Sequence, residues 1–184
     1  MDEGLISRRY AKALFHYAGE PEVQRLIYEK MKLFQESDAA HPGLQKALQN
    51  PVLPSKTKET LLATAMGLLP PPGAEGHAIL RLIRLVLRNH REMYMKSIAR
   101  MYEEVYRTAH DMARVKVTTA VALLPAMREK VEAFARKRSG KRLEFIYRVE
   151  PAIVGGIILE IGDRQYDASV SRKLREIRVG FLKK

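Results

Sequence analysis

The chain contains no cysteine. That removes disulfides, thiol nucleophiles and zinc–thiolate centres, and it fits a reducing compartment. The five histidines are scattered, with no His-x-x-x-His or His-Glu-x-x-His pair, so the spacing of a metal site is missing. No Gly-x-x-x-x-Gly-Lys-[Ser/Thr] loop occurs, which excludes phosphate binding by that route. No cofactor is expected. No apolar run approaches the ~20 residues of a membrane-spanning helix; the run Ile153 to Ile161 suits a buried strand instead. The opening MDEGLISRRY has neither a signal peptide's apolar centre nor a transit peptide's acid-poor start, so the cytoplasm is the expected location.

What is present is enough apolar material for a core. The 184 residues, 46% of them hydrophobic, suit one large domain or two small ones. From Leu5 to Ala18 the pattern is helical. Ile6, Tyr10, Ala13 and Tyr17 gather on one side, Ala11, Phe15 and Ala18 on an adjoining side, with Leu14 between. The apolar arc is about 200° wide, against the roughly 100° stripe that a simple surface helix needs. The same excess recurs from His77 to His90. There His77, Arg81, Arg84 and Arg88 share one narrow edge, and apolar residues including Ile79, Ile83 and Val86 fill about 220°. Either such helices are central in a bundle, or one of their sides takes a partner.

Further helices are predicted from Glu20 towards Ser37, around Leu44 and Leu48, after Pro54, and from Met93 to Met112. Leu69 to Gly76 holds three prolines and reads as a loop. Near residue 113 the period changes. Val115, Val117, Thr119 and Val121 alternate with Lys116, Thr118 and Ala120 as a half-buried strand. Leu124-Pro125 opens a helix to Arg138, Ser139-Gly-Lys141 ends it, and Leu143 to Val149 alternates as a second strand.

The stretch Val149 to Ile177 then organises the end of the chain. It predicts a strand over Ile153 to Ile161, a reversal at Gly162-Asp163, a short polar strand, and a helix with Val170, Leu174, Ile177 and Phe181 on one stripe. Gly155 and Gly156, lacking Cβ atoms, allow a close backbone approach or a bulge. Asp163 and Asp167 are explained by turn chemistry and Ser169 by helix capping. Nowhere does a catalytic constellation assemble. The architecture expected is α+β: an N-terminal six-helix bundle over 1–110, then a small α/β domain over 111–184 with a short sheet, a β-hairpin and a C-terminal helix.

Charge is the remaining signal. Of the net +12, residues 1–110 contribute +4 and residues 111–184 contribute +8. Basic runs at Arg136-Lys-Arg138, Lys141-Arg142 and Arg172-Lys-x-Arg175 could face phosphates, an acidic protein or an anionic membrane surface, or simply water.

Pro151, Gly155-Gly-Ile-Ile-Leu-Glu-Ile-Gly162-Asp163 and Asp167-Ala-Ser169-Val form a pattern that resembles the C-terminal signature of the delta subunit of F-type ATP synthases. The mitochondrial counterpart is the oligomycin-sensitivity-conferring protein. Ser7-Arg-Arg-Tyr-Ala-Lys-Ala-Leu-Phe15, Asn50-Pro-Val-Leu-Pro54 and the helix Ile79 to Leu87 fall in the same family's order, so the resemblance spans nearly the whole chain. It implies a non-catalytic stator subunit on the cytoplasmic side of a bacterial inner membrane. The implied partners are the N-terminal segment of an alpha subunit, held against the first and fifth helices, and the b subunits of the peripheral stalk, joined by the C-terminal domain. The groove residues so implied are Ile6, Tyr10, Ala13, Leu14 and Tyr17 with Ile79, Ile83 and Val86. Bundle shape alone leaves an alternative, an RNA-binding module resembling the antitermination factor N-utilisation substance B. The sequence lacks that class's aromatic stacking motif and recognition-helix pattern.

Overall fold

The computed structural model describes residues 3–68, 70–162 and 164–182, with backbone only for 180–182. Two compact units emerge, Met1–Ala109 and His110–Lys184. In the first, the described residues form α1 (Glu3–Ala18), α2 (Pro21–Ala40), α3 (Gly43–Gln49), α4 (Ser55–Ala65), α5 (Ala74–Arg88), a 3-10 turn at Glu92–Tyr94, and α6 (Met95–Ala109). Pro21 sits in the first turn of α2, where its missing N–H costs nothing. Helix α5 begins at Ala74, before the His77 start that the sequence suggests. Gly76 lies inside that helix, because Pro72 packs so close that a Cβ there would come within 2.7 Å of the proline ring. Leu69 of the expected loop lies outside the described residues.

The bundle core is built from Ile27, Met31 and Phe34 of α2, Leu62 of α4, Ile79, Ile83 and Val86 of α5, and Ile98 and Tyr102 of α6, all fully buried. The Tyr102 hydroxyl donates to the Gln24 carbonyl at 3.2 Å, and burial pushes its pKa up. A buried polar group thereby keeps a partner, as the interior requires. Lys58 and Glu92, both largely buried, pair at 2.5 Å and fasten α4 to the 3-10 turn. Removing one partner would leave an uncompensated charge inside.

The second unit comprises β1 (Met112–Thr119), α7 (Pro125–Ser139), β2 (Arg142–Val149), a 3-10 turn at Pro151–Ile153, β3 (Ile157–Ile161), β4 (Arg164–Asp167) and α8 (Val170–Leu182). The sheet order is β2-β1-β3-β4, with β1 parallel to β2 and antiparallel to β3, and β3 antiparallel to β4. Register puts Val117 beside Tyr147 and Leu159, so one sheet face carries the apolar residues. Ala135 and Val131 of α7 pack against them. The alternate positions are mostly polar, Ile146 and Ile158 excepted, and Lys116 pairs with Glu160 at 3.0 Å. Gly140 ends α7 in the left-handed conformation, which only glycine adopts without strain.

Two strands are shorter than their apolar runs. β1 stops at Thr119, whose hydroxyl donates to the Val121 carbonyl at 2.8 Å and turns the chain, leaving Val121 exposed. β3 starts at Ile157 rather than Ile153. Before it, Val154 and Gly156 both have positive φ, 66° and 80°, which no strand tolerates. This kink has a purpose in the packing. It presents the Gly155 carbonyl to the Val170 N–H at 3.0 Å, while the Ile157 carbonyl receives the Ala168 N–H at 2.9 Å. A Cβ on Gly156 would lie 2.2 Å from the Ala168 carbonyl oxygen.

The glycine pair thus seats the start of α8. There the Ser169 hydroxyl accepts the Arg172 N–H at 3.2 Å, and Asp167 accepts the Ser169 N–H at 2.9 Å. Ser169 holds the Asp167 carboxyl below the usual carboxylate range. Gly162 closes the β3–β4 hairpin with φ of 55°; Asp163 lies outside the described residues. Gly156→Ala is expected to cost at least about 2 kcal/mol, through left-handed strain plus the carbonyl clash. Gly155→Ala should cost less, since its Cβ would meet only a Val170 methyl, at 3.2 Å. Hydrogen exchange of the β3 and early α8 amides measures both.

Candidate partner-binding groove

Between α1 and α5 runs a groove of about 170 Å³ lined by Tyr10, Ala13, Leu14 and Tyr17 from one helix and Ala78, Arg81, Leu82 and Leu85 from the other. Its floor (Tyr10, Leu14, Ala78, Leu82) is nearly buried, while Tyr17 is 56% and Leu85 47% exposed. Ala13 is exposed as well. The wet upper walls are therefore apolar, at positions where a lone helix would carry polar residues.

Arginines close both ends. The Arg81 guanidinium lies 4.9 Å over the Tyr17 ring and donates to its hydroxyl at 3.1 Å. At the other end the Tyr10 hydroxyl accepts from Asn89 at 3.0 Å and from Arg91 at 3.3 Å.

Of the groove residues expected from sequence, Tyr10, Ala13, Leu14 and Tyr17 line this groove. Ile6 is on the same helix, buried, and outside the lining. Ile79, Ile83 and Val86 are fully buried in the core, so no partner can touch them. The α5 wall is made instead by Ala78, Arg81, Leu82 and Leu85. A geometric signal for this existed. Residues opposite the His77–Arg81–Arg84–Arg88 edge face the core, whereas Leu85, bordering it, reaches the surface.

In the second unit, α8 is exposed from Arg172 to Val179, with Leu174 and Ile177 among the exposed apolar residues. Val170 and the α7 residues Met127 and Phe134 are exposed too. The side chain of Phe181, expected on the α8 stripe, lies outside the described residues. Among the described residues, no group of three His, Cys, Asp or Glu could hold a metal ion, and no helix is long and apolar enough to cross a membrane.

The family model of the ATP synthase delta (OSCP) subunit matches residues 6–180. The chain belongs to that family. Among its relatives, the ATP synthase subunit delta of Parabacteroides distasonis is 39% identical over 99% of this chain and 98% of that protein. The one from Bacteroides thetaiotaomicron is 33% identical over 100% and 97%. A chain in the cryo-EM structure of the Toxoplasma gondii mitochondrial ATP synthase hexamer superposes with a TM-score of 0.72, covering 96% of this chain and 97% of that one. At 17% identity that likeness speaks to the fold.

The resemblance carried by the glycine-rich hairpin and the N-terminal motif is thus established, and the delta subunit is a non-catalytic, structural part of an F-type ATP synthase. Family membership leaves the RNA-binding alternative without support. The division of α5 between core and groove predicts opposite outcomes for neighbouring residues. Ile83→Ala should destabilise the bundle by about 2–5 kcal/mol, whereas Leu85→Ala should stay within about 0.5 kcal/mol, both read by hydrogen exchange of α5 and α6 amides.

Proposed function

We propose that the α1/α5 groove receives the N-terminal segment of the catalytic head's alpha subunit as an amphipathic helix, and that the second unit joins the b subunits of the peripheral stalk. The observation carrying the first part is the exposed apolar wall formed by Ala13, Tyr17 and Leu85. It costs solvation in the free protein, and an apolar helix face laid between α1 and α5 would cover it. The second part draws on the exposed stripe Val170, Leu174 and Ile177. Their spacing of four and three residues matches the seam of helix pairing. The surrounding Arg172, Lys173, Arg175 and Arg178 are exposed and suit an acidic partner helix.

The mechanism is mechanical. Rotation of the central stalk puts torque on the head, and a protein gripping both head and stalk keeps the head from turning with it. Affinity and stiffness matter here, and no reactive group is needed. The site of action is the cytoplasmic side of the bacterial inner membrane, reached through the complex.

Calorimetric titration of the full chain with a peptide copied from the N-terminus of the same organism's alpha subunit tests the head contact. One-to-one binding is expected. Leu85→Asp, which sets an unpaired charge in the covered wall, should weaken it at least about tenfold with helicity unchanged. Absence of binding to the unaltered protein would overturn the head contact.

A further inference from the structure

The two arginines at the groove ends differ from their neighbours in how they are neutralised. Arg84, one turn from Arg81, is paired with the Glu59 carboxylate at 2.8 Å. Arg81 and Arg91 instead rest on phenols, those of Tyr17 and Tyr10, and among the described residues neither has a carboxylate partner. A guanidinium held by a ring face and a hydroxyl keeps its full charge and most of its donors for a carboxylate, which it grips in a bidentate fork. The surrounding field has the same sign. Arg88 is exposed on the α5 rim, and Arg9 and Lys12 are exposed on α1. The apolar strip of Ala13, Leu14, Leu82 and Leu85 is therefore bracketed by two cations that need counter-charges once a partner excludes water.

The two tyrosines on which they rest are both on α1. Tyr10 and Tyr17 are seven residues apart, which is two helical turns or about 10.5 Å. Resting on the reading that the groove takes a partner helix, we propose that it selects one bearing two carboxylates two turns apart, flanking its apolar stripe. Arg81 and Arg91 then turn from Tyr17 and Tyr10 to those carboxylates. Apolar contact gives the groove its affinity, and the arginine pair gives it sign selectivity, since a helix with basic flanks meets uncompensated repulsion at both ends.

Three designed helical peptides with one shared apolar stripe test this by calorimetry against the full chain. They carry Glu, Gln or Lys at the two flanking positions seven residues apart. The Glu peptide is expected to bind about fivefold or more tightly than the Gln peptide, and the Lys peptide least. The advantage should shrink at high salt. Arg81→Gln, at an exposed position, should lower the Glu peptide's affinity by a larger factor than the Gln peptide's and so remove much of the Glu advantage, a coupling that a merely structural role would not produce.

Equal binding of the Glu and Gln peptides, or no binding of the Glu peptide, overturns the proposal. The alpha-subunit peptide keeps the two ideas apart. If it binds while Glu and Gln are equal, the head contact stands and the charge selection falls. If the Glu peptide alone shows the expected advantage, the selection stands and the occupant is another acidic-flanked helix.

Discussion

Helix α5 has more apolar side chains than the interior of its bundle can accept. The core takes Ile79, Ile83 and Val86 completely, and those contacts fix how the helix is rotated about its axis. Once that rotation is fixed, Leu85 has nowhere to go but outward, beside Tyr17 and Ala13 of α1. The groove is thus a consequence of core packing. Any change that turned α5 by a fraction of a residue would alter the core and the groove together. On the proposed reading of the groove as the grip on the head, that coupling keeps the grip from yielding under torque.

In the second unit the comparable constraint is the backbone contact at Gly156. The chain comes so close to the Ala168 carbonyl that no side chain fits. That contact joins the start of α8 to the hairpin, with Ser169 and Asp167 holding the helix's first turn. Beyond that anchor the helix is exposed. A rigid root with an open apolar stripe is the form expected of an element that completes its packing on another chain.

Much of this was legible in the sequence, and the failures have physical causes. Period and punctuation located the helices and strands, because prolines, glycines and alternation act locally. β3 was overestimated because the apolar run Ile153 to Ile161 says nothing of the positive φ values at Val154 and Gly156. The kink follows from the close approach of residues 168–170, a tertiary fact. On α1 the groove residues follow from the helical wheel. On α5 the apolar arc is too wide to say which of its residues are core: those opposite the polar edge are buried, and Leu85, bordering it, is exposed in the wall. The arginine–tyrosine pairs join residues 64 and 81 positions apart, beyond any local pattern.

The proposed head contact at the α1/α5 groove can be read in place. A photo-crosslinking residue placed at Leu85, in the assembled membrane-bound complex, reads that contact directly. Illumination should join Leu85 to the N-terminal segment of an alpha subunit, identified by mass spectrometry of the linked peptides. An intact complex in which Leu85 links to a b subunit, or to nothing, would contradict the proposed head contact.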